Sequence, residues 1–210
     1  MKLIYLVIFF SCIFPYSWSQ SEAKTHIDQS IFYLYNYNLD STFHYLDLAS
    51  SVDEEHPLIP FLFVTCSWIE KQVKGSFESS NMELKKMINE YIPVYERYIL
   101  KYDYNPEYYL YLGSLYGLKT RIEIASSQWV SAFFSNKNAY RYIKRAHDLD
   151  ENLNDTYLPL GLINYYTCIS SNFIQFLSKI SGIEIDCDKS IDYLEISSND
   201  SYYSWIESNN

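Results

Sequence analysis

Histidine is the first residue type to consider, because imidazoles supply many metal ligands and catalytic bases. The four histidines, His26, His44, His56 and His147, are scattered, without the H-x-x-x-H or H-E-x-x-H spacing that puts two imidazoles on one helix face. The sequence also has no G-x-S-x-G nucleophile elbow and no glycine-rich phosphate loop, and it contains only 5 glycines. We therefore predict no metal site and no cofactor. Spacing does not exclude a Ser or Cys that meets a His only in the fold, but nothing in the sequence points to an enzyme.

Acidic residues at 186–192 share one property with a calcium-binding loop. Asp186, Asp188, Ser190 and Asp192 place oxygen atoms at alternate positions, as calcium loops do. The glycine that such a loop needs for its sharp turn is replaced by Ile191, and the twelfth position is not a glutamate. We interpret these acids as the N-terminal cap of a helix.

The cysteines allow two interpretations. Cys66, Cys168 and Cys187 lie outside the N-terminal segment discussed below, and an odd number permits at most one internal disulfide among them. A bond between Cys168 and Cys187 would tie down the helix-sized segment that they flank, provided that the compartment is oxidising. We favour the alternative of three buried thiols, because sequence alone does not bring two α-carbons within the ~7 Å that a disulfide requires.

Charge limits the classes of partner. The chain carries 16 Lys and Arg against 26 Asp and Glu, a formal net charge of -10. Nucleic acids and anionic lipid surfaces need clustered positive charge, so we predict that the chain binds neither. An acidic surface favours a protein partner with some basic character. Tyrosine, with 23 residues, is the type most suited to protein contacts, since its ring gives contact area at low entropic cost.

Residues 1–19 have the layout of a secretory signal peptide. Lys2 precedes an apolar run from Leu3 to Phe14, and Ser17 and Ser19 supply the small residues that signal peptidase requires. The run is shorter than the ~20 residues that span a bilayer. We predict cleavage after Ser19, a periplasmic or secreted location, and no stable membrane insertion of the mature chain. The alternatives are a retained anchor and lipidation of Cys12.

Apolar residues recur at steps of three and four, which predicts helices rather than strands. Leu84, Ile88, Tyr91 and Tyr95, for example, share one helix face. Turn residues divide the chain into roughly nine helices, with breaks near 38–41, 53–57, 75–81, 103–106, 135–136, 150–155 and 182–188. No linker rich in Pro, Gly or Ser divides the chain, so we predict a single all-α domain over 20–210.

One pattern of small and bulky residues recurs along these helices. Ala139, Ile143 and Ala146 share one helix face, and Leu149 closes it. After a turn, Tyr157, Leu160 and Gly161 begin the next helix. Small residues at such positions let neighbouring helices approach closely. This order resembles the tetratricopeptide repeat, from which the chain departs at Glu151, where the family usually has proline.

The same pattern occurs elsewhere in the chain. Tyr109, Leu112, Gly113 and Tyr116 lie 48 residues before the helix that begins at Tyr157. Thr42, Leu46 and Ala49 repeat the part that begins at Ala139. A step of 48 exceeds the ~34 residues of a plain tetratricopeptide unit. We place the surplus near 118–136, either in an extended first helix or in an inserted helix or loop that carries Trp129.

The resemblance extends over the stretch from Tyr109 to Ile183, which is similar to a group of exported bacterial tetratricopeptide proteins. The resemblance implies a right-handed α-solenoid of helix-turn-helix repeats with extended spacing. Members of the group usually carry further helical repeats beyond the position of Asp188, so we expect a truncated member with an uncapped last repeat.

The function that the resemblance implies is that of a non-enzymatic scaffold of the cell envelope, which holds a protein or peptide partner. The residues expected to pack the repeats are Ala49, Tyr109, Leu112, Gly113, Tyr116, Ala139, Ile143, Ala146, Leu149, Tyr157, Leu160 and Gly161. The candidate partner contacts are Tyr33, Tyr37, Tyr108, Trp129 and Tyr202. One alternative is the N-terminal part of an exported enzyme or enzyme subunit whose catalytic portion is missing from this chain. Another is a structural protein that dimerises through its uncapped end.

Overall fold

The computed structural model describes residues 22–184 and 186–204, and for Phe77 only the backbone. The predicted signal peptide, its cleavage site after Ser19 and the lipidation candidate Cys12 lie outside the described residues. All regular secondary structure in the described ranges is helical, with no strand, so the all-α prediction is confirmed. None of the helices described combines the length and the apolar character needed to cross a membrane.

Nine α-helices and one short 3-10 helix make up the described part of the chain. They are α1 (residues 22–35), α2 (Leu39–Val52), α3 (Leu58–Lys74), α4 (Phe77–Lys101), α5 (Pro106–Ala125), α6 (Trp129–Leu149), the 3-10 helix Asn154–Thr156, α7 (Tyr157–Cys168), α8 (Asn172–Ile180) and α9 (Cys187–Asp200). Internal contacts divide the chain into two compact units, Met1–Leu84 and Lys85–Asn210, whose boundary falls within α4. The single domain over 20–210 stays a prediction.

Side-chain caps explain where several helices begin. Asn38 accepts a hydrogen bond from the backbone N–H of Ser41, and Asn105 accepts one from Glu107 just before the proline that opens α5. Asp186 accepts from the backbone N–H of Lys189 at the start of α9. The acid at 186 therefore caps a helix, as the sequence predicted.

The connection between α5 and α6 differs from the sequence prediction. The predicted break at 135–136 is wrong, because Ser135 is buried in the middle of α6 and the helix is continuous there. The chain turns instead at 126–128, where Ser127 adopts a positive φ of 56°. The surplus residues near 118–136 thus lengthen both helices, and no separate helix is inserted.

The first unit contains a tight contact between α1 and α2. The Ser30 hydroxyl donates a hydrogen bond of 3.0 Å to the backbone carbonyl of Thr42. Thr42, Leu46 and Ala49 are fully buried on α2. The small side chains at Ser30 and Thr42 allow the two helix backbones to approach within reach of a side-chain hydroxyl.

The second unit contains two helix pairs that close on a glycine. A Cβ added to Gly113 of α5 would lie 2.5 Å from Ile143 Cγ1 and 3.1 Å from the carbonyl oxygen of Ala139, both on α6. A Cβ added to Gly161 of α7 would lie 3.0 Å from Leu194 Cδ2, on α9. Both contacts are shorter than ordinary van der Waals distances. A larger residue at Gly113 would force α5 and α6 to shift, and one at Gly161 would require the side chain of Leu194 to move.

A disulfide joins Cys168 at the end of α7 to Cys187 at the start of α9, with α-carbons 5.7 Å apart. Our preference for three buried thiols is therefore wrong for this pair. The two helices pack against each other, and this packing brings the cysteines within bonding distance although 19 residues separate them. Cys66 remains a buried free thiol.

Candidate binding surface

Tyrosine and arginine side chains from α5 and α6 form an aromatic and cationic surface. The rings of Tyr116 and Tyr142 stack with centroids 5.7 Å apart. The Arg141 guanidinium lies 4.6 Å above the Tyr142 ring, and the Arg145 guanidinium lies 5.9 Å from the Tyr109 ring. We call these five residues the arginine–tyrosine face. Stacking holds the planes of the guanidiniums and leaves their N–H donors available to a ligand.

The stretch of sequence that carries most of this face is locally basic, although Glu96 acts electrostatically on Tyr116 and Asp148 pairs with Lys144. Residues 119–147 contain a single acid, Glu123, which is buried, and the following bases: Lys119, Arg121, Lys137, Arg141, Lys144 and Arg145. Within the described ranges, no carboxylate lies within ion-pair distance of Lys137, Arg141 or Arg145. These three residues are exposed and spaced by four along α6, so they form one positive stripe.

Tyr116 brings a neutral hydroxyl to the arginine–tyrosine face. Burial, and then the neighbouring Tyr142, raise the pKa of Tyr116 above its ordinary value of 10.0. Tyr116 is therefore a neutral hydroxyl at physiological pH, able both to donate and to accept hydrogen bonds. The face thus offers aromatic area, the neutral hydroxyl of Tyr116 and fixed positive charge.

A second group of tyrosines packs the end of α4 against α5. The rings of Tyr102 and Tyr108 stack at 5.3 Å, and Tyr98 lies 5.2 Å from Tyr108. Tyr108 was one of the candidate partner contacts, but its ring is only 4% exposed. It therefore has little surface to offer a partner, and its role in the structure is packing.

The other candidate contacts lie in both units. In the first unit, Tyr33 stacks on Tyr45 at 5.4 Å, and Tyr37 is exposed with a positive φ of 56°. In the second unit, Trp129 is exposed at the start of α6, and Tyr202 is exposed after α9. Each can reach solvent, and their use in binding stays a prediction.

The residues expected to pack the repeats lie mostly in helix contacts. Ala49, Leu112, Gly113, Ala139, Ile143, Ala146, Leu160 and Gly161 are buried, and Tyr109, Tyr116, Leu149 and Tyr157 are half-buried. Tyr157 lies between two other rings, 5.1 Å from His147 and 5.1 Å from Tyr193. Tyr109 and Tyr116 belong to the arginine–tyrosine face as well as to the helix contact.

The structure also reveals a set of packing residues that the sequence analysis missed. Ser190 and Leu194 on α9 face Gly161 as Ala139 and Ile143 on α6 face Gly113, and Ser197 follows Leu194 at the same spacing as Ala146 follows Ile143. Ser190 and Ser197 are buried, and the spacing of the three residues is the same on both helices. That spacing was a usable signal, but serine in place of alanine concealed it.

An acidic side chain anchors the segment after α9. Asp155 Oδ1 accepts hydrogen bonds from the backbone N–H of Tyr203 at 2.8 Å, from the backbone N–H of Ser204 at 2.7 Å and from the Ser204 hydroxyl at 2.9 Å. Burial, and then the charge of Asp155, raise the pKa of Glu107. Two carboxyl groups thus influence each other here, one of them fixed by three donors.

Several side chains of types that can carry out chemistry take part in local structure. His147 Nδ1 lies 3.3 Å from the Thr156 hydroxyl, and burial lowers the pKa of His56. Burial raises the pKa of the Cys66 thiol to about 12, so the thiol is protonated at neutral pH. Over residues 22–184 and 186–204, no three His, Cys, Asp or Glu side chains are grouped so that they could hold a metal ion.

The fold and this surface together define an all-α protein of paired helices with an aromatic and cationic face on α5 and α6. Comparison of the chain with protein families, with curated proteins and with solved structures finds no match.

Proposed function

We propose that this chain is a non-enzymatic scaffold of the cell envelope, a right-handed solenoid of tetratricopeptide-like repeats that binds a protein or peptide segment. The observation that carries the proposal is the recurrence of one close helix contact. Gly113 faces Ala139 and Ile143, and Gly161 faces Ser190 and Leu194. Helical repeats keep a constant distance between helices when a small residue meets one small and one bulky residue at the same positions of each repeat.

The envelope location is supported by two features. The sequence of residues 1–19 has the pattern of a secretory signal, and the bond between Cys168 and Cys187 suits an oxidising compartment. Cytosolic thiols are kept reduced, so a structural disulfide favours an exported protein.

The arginine–tyrosine face is the surface that we propose for the partner. Arg141 and Arg145 present planar donor groups that match carboxylates, and the tyrosine rings offer flat contact area. Arg141 and Arg145, which have no ion-pair partner in the described ranges, act on a ligand bound here more strongly than distant acids do, because screening limits electrostatic interactions to ~10 Å. The proposed ligand is therefore an extended protein segment with acidic and apolar side chains.

The experiment measures binding of a fluorescent peptide to the purified protein by anisotropy. The peptide alternates glutamate with leucine, and a second peptide replaces every glutamate by lysine. We expect binding of the acidic peptide only, weakened by salt. Arg141→Gln combined with Arg145→Gln should weaken it by roughly tenfold or more, because a charge-assisted hydrogen bond contributes ~1.5–3 kcal/mol.

A matched control removes the same amount of charge elsewhere. Lys71 and Lys86 are exposed, and Lys71→Gln combined with Lys86→Gln changes the net charge equally. This control should bind the acidic peptide as the wild type does. Equal weakening by both pairs of substitutions, or a preference for the lysine peptide, would contradict the proposed surface.

A further inference from the structure

Two consecutive helices of the second unit carry large apolar side chains on their outer surface. Eight side chains, each between 38% and 66% exposed, form what we call the α7–α8 face: Leu162, Tyr165, Tyr166, Ile169, Phe173, Ile174, Phe176 and Ile180. On both helices the exposed positions recur at three- and four-residue steps, so each helix has an apolar stripe, and the exposed Ile169 lies in the turn that connects the two helices.

The outward orientation of α8 is fixed by its polar side. Ser178 is the residue of α8 that is buried, and Gln175 donates hydrogen bonds to the carbonyls of Cys168 at 2.9 Å and Ser170 at 3.2 Å. An amphipathic helix normally turns its apolar stripe inward and its polar side to water. In α8, Gln175 and Ser178 face the protein, Asn172 and Lys179 are exposed, and the apolar stripe is exposed as well.

The disulfide holds this arrangement in place. Cys168 ends α7 and Cys187 begins α9, so the bond closes a loop that contains the whole of α8. A surface that is ordered before contact loses little conformational entropy on binding. The α7–α8 face is thus preformed for an interaction.

The charge of this part of the chain is also distinctive. Residues 156–183 contain no Asp or Glu, and Lys179 is their single Lys or Arg, whereas the whole chain has a net charge of -10. Burying this face therefore desolvates no carboxylate. Two strongly acidic molecules can therefore associate through this face without placing their carboxylates next to each other.

We propose that the α7–α8 face is the contact through which two copies of this chain form a symmetric dimer. In a two-fold dimer the same surface occurs on both partners, so apolar side chains meet apolar side chains. With roughly 200 Å² for a fully exposed side chain of this size, the eight residues present on the order of 800 Å². A standard interface buries about 800 Å² on each partner, so the area is sufficient.

A second copy fits the face better than a lipid surface does. Helices that lie on membranes combine their apolar stripe with several lysines or arginines, which bind the headgroups. The α8 helix has Lys179 as its single Lys or Arg, and its Gln175 is hydrogen-bonded to the carbonyls of Cys168 and Ser170. This proposal rests on α7 and α8 and does not depend on binding at the arginine–tyrosine face.

The test is sedimentation velocity of the full chain over a range of protein and salt concentrations. We expect a reversible monomer–dimer equilibrium that salt strengthens, because salt screens the repulsion between two acidic molecules. Phe173→Glu combined with Phe176→Glu should raise the dimer dissociation constant by roughly a hundredfold or more, since buried aromatic anchors dominate interface energies.

The control introduces the same charges on exposed apolar residues elsewhere in the second unit. Leu100→Glu combined with Val130→Glu should leave the dimer intact, and circular dichroism checks that both variants fold. A monomer at every concentration would overturn the proposal, as would equal dissociation by both pairs. If the wild type is monomeric and co-sediments with neutral or anionic lipid vesicles, and the Phe173 and Phe176 variant does not, the face binds lipid instead.

Discussion

Gly113 and Ile143 are in such close contact that a single methyl group on the glycine would lie 2.5 Å from Ile143 Cγ1 and 3.0 Å from its backbone nitrogen. The second of these neighbours is main chain, so a rotamer change of Ile143 cannot relieve the clash. The spacing of α5 and α6 therefore depends on the absence of a side chain at Gly113. The arginine–tyrosine face is built across the same two helices, so this contact also sets the distance between its rings.

Gly113→Ala should destabilise the protein by about 1–3 kcal/mol, the range for overpacking a well-filled interior. Gly117 lies one turn further along the same helix with nothing within 4 Å of an added Cβ. Gly117→Ala should therefore stabilise the protein by up to ~1 kcal/mol through helix propensity. Urea unfolding of both variants measures the difference. Equal effects of the same sign would show that the close contact does not limit helix spacing.

Asp155→Ala should release the segment that follows α9. The substitution leaves the backbone N–H groups of Tyr203 and Ser204 without their acceptor, at a cost of about 2 kcal/mol. Hydrogen exchange at these two amides should become faster, and this is the measurement. Asp155→Asn keeps the accepting oxygen and should preserve most of the protection. Unchanged exchange in the alanine variant would show that other contacts hold the segment.

Glu107 should make stability depend on pH. Burial, followed by the charge of Asp155, raises its folded pKa above the ordinary value of 4.5. Between those two values the folded chain binds more protons than the unfolded chain, so the contribution of Glu107 lowers stability as pH rises through this window. Glu107→Gln should therefore gain stability over the wild type at about pH 7 and little at about pH 4.

Glu78 is an exposed acid in the first turn of α4. Comparing Glu78→Gln with Glu107→Gln shows how much of the effect on stability comes from burial and how much from position in the helix. A negative charge in the first turn of a helix interacts favourably with the helix dipole, so Glu78→Gln should slightly destabilise the protein at about pH 7. Chemical unfolding at both pH values provides the free energies of unfolding. A loss of stability in Glu107→Gln at neutral pH would refute this account of the buried carboxyl.

Replacing Cys168 and Cys187 together by serine should cost about 3 kcal/mol, the magnitude expected for a loop of this length. Thermal or urea unfolding with and without a reductant measures the effect. Reductant should bring the wild type to the stability of the double variant and should not change the double variant. If exposure of the unfolded wild type to reductant leaves its measured stability unchanged, the bond does not form in solution.

Local signals in the sequence predicted much of the fold. The step of three and four residues identified the helices, and the break predicted near 103–106 lies at the start of α5. Asp186 was recognised as a cap and acts as one. These features depend on residues close in sequence, and short-range preferences determine them directly.

Features that depend on tertiary contacts were not predictable in the same way. Ser135 and Asn136 resembled a break, but the burial of Ser135 against the rest of the second unit keeps α6 helical. The actual turn, at Ser127, uses a positive φ without glycine or asparagine, so it left little trace in the sequence. The pairing of Cys168 with Cys187 followed from how α7 and α9 pack, which residue spacing does not show.

Burial of Cys66 has a consequence for how the covalent structure persists. Exchange of a disulfide requires attack by a thiolate, and the Cys66 sulfur is both enclosed by the first unit and protonated at neutral pH. Among residues 22–184 and 186–204, no other cysteine remains to attack the bond between Cys168 and Cys187. Internal scrambling by Cys66 is therefore confined to the unfolded chain, and the link that encloses α8 is kinetically inert to that thiol once folding is complete.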